Sequence, residues 1–200
     1  MIPTQCNLPA GKTSWRDWSI PFECDSFLLR DVLQSMKSDQ ANQDDIPFII
    51  QLVENPKYDI PWINIFNGAV NLADHDCIHA LLGRGMLPKD EAFVIGFTMG
   101  STNRATTFEQ KLYSFVAKYL YPGPYKFNDD DIQVFKDAAH LGYISDCVPL
   151  DTLNYADYTD MTLREIRENL GIERKLLLAY YEIEQRRYPN SIESQRLLLK

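Results

Sequence analysis

Along most of the chain, apolar residues recur at three- and four-residue intervals, the spacing that gathers them on one face of an α-helix. Ser26-Phe27-Leu28-Leu29-Arg30-Asp31-Val32-Leu33 opens a first helix with Ser26 as its cap. The polar stretch Lys37 to Asp45 reads as a loop. Pro47-Phe48-Ile49-Ile50-Gln51-Leu52-Val53 begins a short helix that Asn55-Pro56 ends. Pro61 starts a helix expected to run to Leu82, where Gly83 and Gly85 stop it. Pro88-Lys89-Asp90-Glu91 is another first turn, acidic as the helix dipole favours, and leads into Ala92-Phe93-Val94-Ile95-Gly96-Phe97. Thr106-Thr107-Phe108-Glu109 is a capping box before Leu112, Phe115, Val116, Tyr119 and Leu120. Tyr121-Pro122-Gly123-Pro124 breaks that helix, and Asn128-Asp129-Asp130-Asp131 caps the next, which Gly142 is expected to close. Residues 145–158 read as irregular. Thr162-Leu163-Arg164-Glu165 is a second capping box with Gly171 as its stop, and a final helix spans Glu173 to Arg187 before Pro189. No run alternates apolar and polar residues between turn signals, and no repeat is evident. The pattern predicts an all-α fold, a single helical bundle-like domain over residues 1–200.

Composition narrows the partners. A net charge of −8 excludes a general nucleic-acid binder, which needs a basic face. No apolar run approaches the roughly 20 residues that cross a bilayer, and the first residues lack the order of a secretory signal. A cytoplasmic protein, with membrane contact as an option, is the expectation. Cys6, Cys24, Cys77 and Cys147 are scattered without a CxxC, so four free buried thiols are expected.

Two of the three histidines stand in Ala73-Asp74-His75-Asp76-Cys77-Ile78-His79. Residues four apart on a helix share a face, so His75 and His79 aim at one point, with Asp76 beside them. Cys77 lies two positions from each and points elsewhere. Gly83, Gly85 and Pro88 permit a chain reversal that would set Glu91, at the start of the following helix, opposite the histidines. Two imidazoles with one or two carboxylates around an open position form a divalent-metal site between two consecutive helices. Zinc is the first choice, but iron, manganese or magnesium would accept related ligands. The bland reading is a histidine pair oriented by a nearby acid on a helix surface. A zinc-protease HExxH site is disfavoured, because Asp76 stands in place of the glutamate. An HD-type phosphohydrolase needs an upstream histidine, and the chain has none before His75.

The spacing His75-Asp76-x-x-His79, eleven residues, then Glu91 resembles the HDxxHx11E motif of the Coq-four family of ubiquinone (coenzyme Q) biosynthesis proteins. His79-Ala80-Leu81-Leu82-Gly83 is similar to that family's His-x-Leu-Leu-Gly run. Thr162-Leu163-Arg164-Glu165-Ile166-Arg167-Glu168-Asn169-Leu170-Gly171-Ile172 resembles its C-terminal LRxLRxxLGI helix. The similarity covers residues 60 to 172, and Ile63 to Leu72 lacks the arginine-rich stretch typical of the family, so the chain resembles a divergent member. The resemblance implies an all-helical protein that removes the C1 carboxyl of a polyprenylated hydroxybenzoate and hydroxylates that carbon. It equally implies a metal-dependent, isoprenoid-binding organiser of other quinone-biosynthesis enzymes. Carried over by position, His75, Asp76, His79 and Glu91 are its metal residues. A small metal-dependent hydrolase of unrelated substrate is the alternative outside the family.

A prenyl tail needs an apolar groove between helices. Its candidate walls are Phe93, Phe97 and Met99 beyond Glu91, with Phe108, Leu112, Phe115, Val116 and Tyr119. Taken singly, each reads more readily as plain core. Gly96 and Gly100 would admit a second helix or a tail, and Lys111, Lys118 and Lys126 among aromatics suit either lipid headgroups or solvent. His140 reads as a helix-end residue, and Arg164 and Arg167 as anion binders or ion-pair partners. Self-association into a homo-oligomer is left open.

Overall fold

The computed structural model describes residues 6–9, 17–36, 70–104 and 106–199, and the side chains of Phe108 and Pro124 fall outside this description. The fold is all-α. Among the described residues there are eight α-helices: α1 (Leu29–Met36), α2 (Leu72–Leu82), α3 (Pro88–Ser101), α4 (Thr107–Tyr119), α5 (Asp129–Ile144), α6 (Leu163–Leu170), α7 (Arg174–Arg187) and α8 (Ile192–Gln195). No strand accompanies them, only an isolated antiparallel bridge between Leu28 and Thr162. None of these helices is long and apolar enough to cross a membrane. The loop over Lys37–Asp45, the helix over Pro47–Val53 and the start at Pro61 lie outside the described residues.

Caps set most boundaries where the sequence puts them. Thr106 accepts from Glu109 N while Glu109 accepts from Thr106 N, and Thr162 and Glu165 do the same. Asn128 accepts from both Asp130 N and Asp131 N. Gly83 and Gly171 end α2 and α6 in the left-handed region, at φ 65° and 71°.

Three expected boundaries are corrected. The first helix starts at Leu29, not Ser26, because the preceding backbone pairs with the segment before α6. Leu29 N donates to Met161 O (3.0 Å), Leu163 N to Phe27 O (3.0 Å) and Arg164 N to Asp25 O (2.9 Å). The helix carrying the histidines does not run unbroken from Pro61. Asn71 is extended and caps Asp74 N at 3.1 Å, so the helix begins at Leu72. Gly142 does not close its helix, which continues to Ile144. It serves packing instead: a methyl group there would run into the Phe97 carbonyl, and one at Gly100 into that of Ala139. Among the described residues, the most extensive helix–helix packing is therefore α3 on α5, backbone close against backbone. The second helix that Gly96 and Gly100 admit is α5.

Two buried apolar clusters result. The larger joins Trp18, Ile20 and Phe22 of the N-terminal segment with α1, α2, α3, α6 and α7. The smaller joins α4 to α5 around Tyr113, Val116, Tyr121, Phe127 and Phe135. The expectation of four free thiols is overturned for two of them. The N-terminal segment folds back until the Cα atoms of Cys6 and Cys24 are 5.4 Å apart, and the two form a disulfide. Cys77 and Cys147 are free and buried, with thiols pushed up to about 12 by burial.

Asp25 ties this segment down. Its buried carboxylate accepts from Arg164 at 2.7 and 3.2 Å and lies 3.6 Å from Arg174. Burial alone would raise its pKa, but the hydrogen bond and charge of Arg164, backed by Arg167 and Arg174, hold it below the usual 3.8. A depressed carboxylate stabilises the fold above its ordinary pKa and loses that contribution as pH falls through the lowered value. Asp25→Asn is therefore expected to melt below the wild type at pH 7, with the gap closing as pH falls below about 3.8 in thermal unfolding across pH. Gly100→Ala is expected to lower unfolding free energy by about 1–3 kcal/mol in denaturant titration, because neither backbone can retreat.

Candidate metal centre

The site is built by one tight reversal. The last four carbonyls of a helix need outside partners, and at the end of α2 each has one. His79 O accepts from Arg84 N (3.0 Å) and Ala80 O from Gly83 N (3.2 Å), which is a Schellman turn. Leu81 O accepts from Arg167 Nε (2.8 Å) and Leu82 O from the Tyr181 hydroxyl (2.5 Å). Arg167 also donates to Phe22 O at 2.7 Å. Gly83 is fixed by its positive φ and by Phe22, whose Cα would lie 2.9 Å from any added Cβ. The chain then re-enters a helix at Pro88, where Asp90 accepts from Leu87 N at 3.2 Å.

Arg84 locks the reversal from inside. It is fully buried and donates to both carboxylate oxygens of Glu184 on α7, at 3.0 and 2.6 Å. Its guanidinium lies over the Phe93 ring at 3.8 Å and near the Tyr181 ring at 4.5 Å. Ser194 donates a further hydrogen bond to Glu184 at 3.0 Å. Burial alone would lower the Arg84 pKa, but Glu184 outweighs it, so the guanidinium stays charged.

Across this reversal His75, His79 and Glu91 meet. One ligand atom from each lies within 4.8 Å of the others. His79 Nε2 is 3.3 Å from Glu91 Oε1, and His75 Nε2 is 3.5 Å from Glu91 Oε2. The imidazole centroids are 4.6 Å apart. His79 is buried, while His75 and Glu91 keep 16% and 24% of their side chains exposed, so the group has an open side. These separations have ion-pair length without hydrogen-bond alignment: His75 Nε2 and both nitrogens of His79 are buried with no hydrogen-bond partner. Three donors converging on one point without bonding one another is what a shared cation requires. Donors about 2.0–2.1 Å from a tetrahedral zinc stand about 3.3–3.4 Å apart; each imidazole keeps close to that spacing from one Glu91 oxygen, and the three ligand atoms together lie within 4.8 Å.

The charges agree. Burial pulls His75 down to about 4, against the opposing pull of Glu91, so it is neutral at pH 7 and free to ligate. Burial would lower His79 too, but Glu91 outweighs it and raises its pKa. Glu91 is held low by His79 and His75 against its own burial, and so is ionised. In the absence of a cation, the Glu91 charge favours the protonated form of His79, beside a neutral His75.

Not every expected residue joins. Asp76 stands outside the converging group and acts on His79 through its charge. Cys77 turns away, its thiol on Ala73 O at 3.3 Å. The expected tail-binding residues fall in different surroundings. Phe93 and Phe97 are fully buried in the larger cluster, and Met99, Leu112 and Val116 belong to the smaller. Phe115 and Tyr119 face outward, 54% and 58% exposed, and the Phe108 side chain is outside the description. His140 is exposed on α5. Arg164 and Arg167 serve the fold, on Asp25 and on the end of α2. Sequence reasoning missed Arg84 and Glu184, which lock the turn between the two ligand-bearing helices. Arg84 had one local signal, a long cation between two glycines in a turn.

Comparison with protein-family models, curated proteins and solved structures finds no match.

Removing one partner of a buried pair leaves the other charge uncompensated. Glu184→Gln is expected to cost about 3–5 kcal/mol of unfolding free energy in denaturant titration, and replacing Arg84 and Glu184 together by Met and Leu distinctly less.

Proposed function

We propose that this chain holds one divalent cation on His75, His79 and Glu91, and uses it to handle the polar end of a prenylated hydroxybenzoate in quinone synthesis. The convergence of His75, His79 and Glu91 across the turn, one ligand atom from each within 4.8 Å of the others, supports the metal. The substrate class follows from the two stretches that resemble the Coq-four family. Those stretches, some ninety residues apart in the chain, meet in space: Arg167 of the second caps the helix that carries both histidines of the first.

A cation so held keeps open positions and would chelate the carboxylate and adjacent phenol oxygen of such an acid, as Lewis acid and template. The chain's own part is to hold two imidazoles and a carboxylate in place, with His75 neutral and the open side toward His75 and Glu91. Zinc, iron, manganese and magnesium all fit the donor types, with two imidazoles favouring the first two over magnesium.

A second reading, a non-catalytic isoprenoid-binding scaffold for quinone-biosynthesis enzymes, is favoured by the exposed Phe115 and Tyr119 of α4 and the exposed Leu120 that caps it. In both readings the protein works in the cytoplasm against the membrane that holds the prenyl tail. The Cys6–Cys24 bond runs against a reducing compartment, and thiol alkylation before extraction decides that point.

Elemental analysis of the purified protein is expected to show about one ion per chain, lost in His79→Ala while circular dichroism stays helical. Ligand at about 100 times its Kd should stabilise the wild type by about 2.7 kcal/mol and leave His79→Ala unmoved. Full occupancy in that variant removes the site. Given prenylated hydroxybenzoate and oxygen, the loaded protein should release carbon dioxide; bound lipid without turnover would support the scaffold instead.

A further inference from the structure

The residue before Glu91 is held by a part of the chain that the metal reading does not use. Asp90 is fully buried at the start of α3. One of its oxygens accepts from Leu87 N at 3.2 Å and from Arg196 at 2.5 Å. Arg196 follows α8 and lies so close over Gly85 that a methyl group there would strike its guanidinium. The segment bearing Arg196 is itself anchored. Phe22 N donates to Leu197 O at 2.9 Å, Leu199 N donates to Glu23 at 3.0 Å, and Ser194 donates to the Glu184 that holds Arg84. Both ends of the reversal between α2 and α3 are thus gripped from the C-terminal side of the chain, Arg84 through Glu184 and Asp90 through Arg196.

A first-turn residue cannot move without its neighbour. Whatever fixes Asp90 fixes the backbone of Glu91, and so the reach of its carboxylate toward His75 and His79. Resting on the metal reading above, we infer that Asp90 and Arg196 are positioning residues for the ligand Glu91, and that the C-terminal segment is part of the metal centre's support. Groups that only orient a metal ligand typically change affinity 10- to 100-fold when removed.

The two substitutions separate positioning from simple charge. If Asp90 and Arg196 acted only through their fields, Arg196→Ala would leave an extra negative charge near the cation and tighten binding. Asp90→Asn would remove one and weaken it. A positioning pair gives the same sign for both. The test is titration of metal-free protein with cobalt(II), read by its visible ligand-field bands and by calorimetry. Expected are weaker binding by about 10-fold in each single variant, no further loss in the double variant, and altered band intensities in all three. Thermal unfolding without metal gives the stability of each variant separately. Should Arg196→Ala or Asp90→Asn fail to fold, Arg196→Lys keeps the charge but not the guanidinium and is expected to bind several-fold more weakly. Wild-type affinity and spectrum in the variants, or shifts of opposite sign in the two singles, overturn the inference while leaving the metal site standing. Absence of cobalt binding by the wild type overturns the metal reading, and this inference with it.

Discussion

A guanidinium with no access to water, clasped by a carboxylate one hundred residues further along the chain, holds the turn on which the rest depends. The Arg84–Glu184 pair sits where α2 ends and α3 begins, and both ions are completely buried. Such a pair gives little net stability compared with well-packed apolar residues, but it tolerates no other arrangement of its neighbours. Around it every terminal carbonyl of α2 finds a donor. The helix bearing the histidines therefore has one length and one exit direction, and Glu91 comes back toward His75 and His79.

The same restriction explains why the site is unsatisfied within itself. Glu91 approaches both imidazoles at ion-pair length, while His75 Nε2 and both nitrogens of His79 are buried with no hydrogen-bond partner. A side chain free to move would rotate to make the bond. Here caps, a left-handed glycine and buried ion pairs fix each backbone, leaving donors aimed at a common point. The arrangement is costly for an empty polar patch and natural for a cation site.

What could be read from the chain and what could not divides along sequence distance. Caps and stops are local chemistry, so Thr106, Asn128, Thr162, Gly83 and Gly171 announced themselves. So did the histidine pair, because four residues on a helix are one turn, and Glu91, because Gly83 to Pro88 is a recognisable reversal. Helix starts failed where a distant strand-like segment took the backbone, as Met161 does at Leu29. Gly142 was misread because glycine signals a stop or a close approach equally well, and only α3 lying against it distinguishes them. Cys6 and Cys24 gave no sign of pairing, and helical periodicity at Phe93 and Phe97 fits a core and a groove alike. Arg84, Glu184 and Arg196 were invisible as partners, since nothing near any of them in the chain points to the other.

The central claim is that two imidazoles and one carboxylate from opposite sides of this turn share a cation. X-ray absorption of the metal-loaded protein tests it most directly. The account predicts a first shell containing two imidazole nitrogens and a carboxylate oxygen at about 2.0–2.1 Å, as for zinc. A shell of oxygen atoms alone, unchanged when His75 and His79 are replaced, would contradict it.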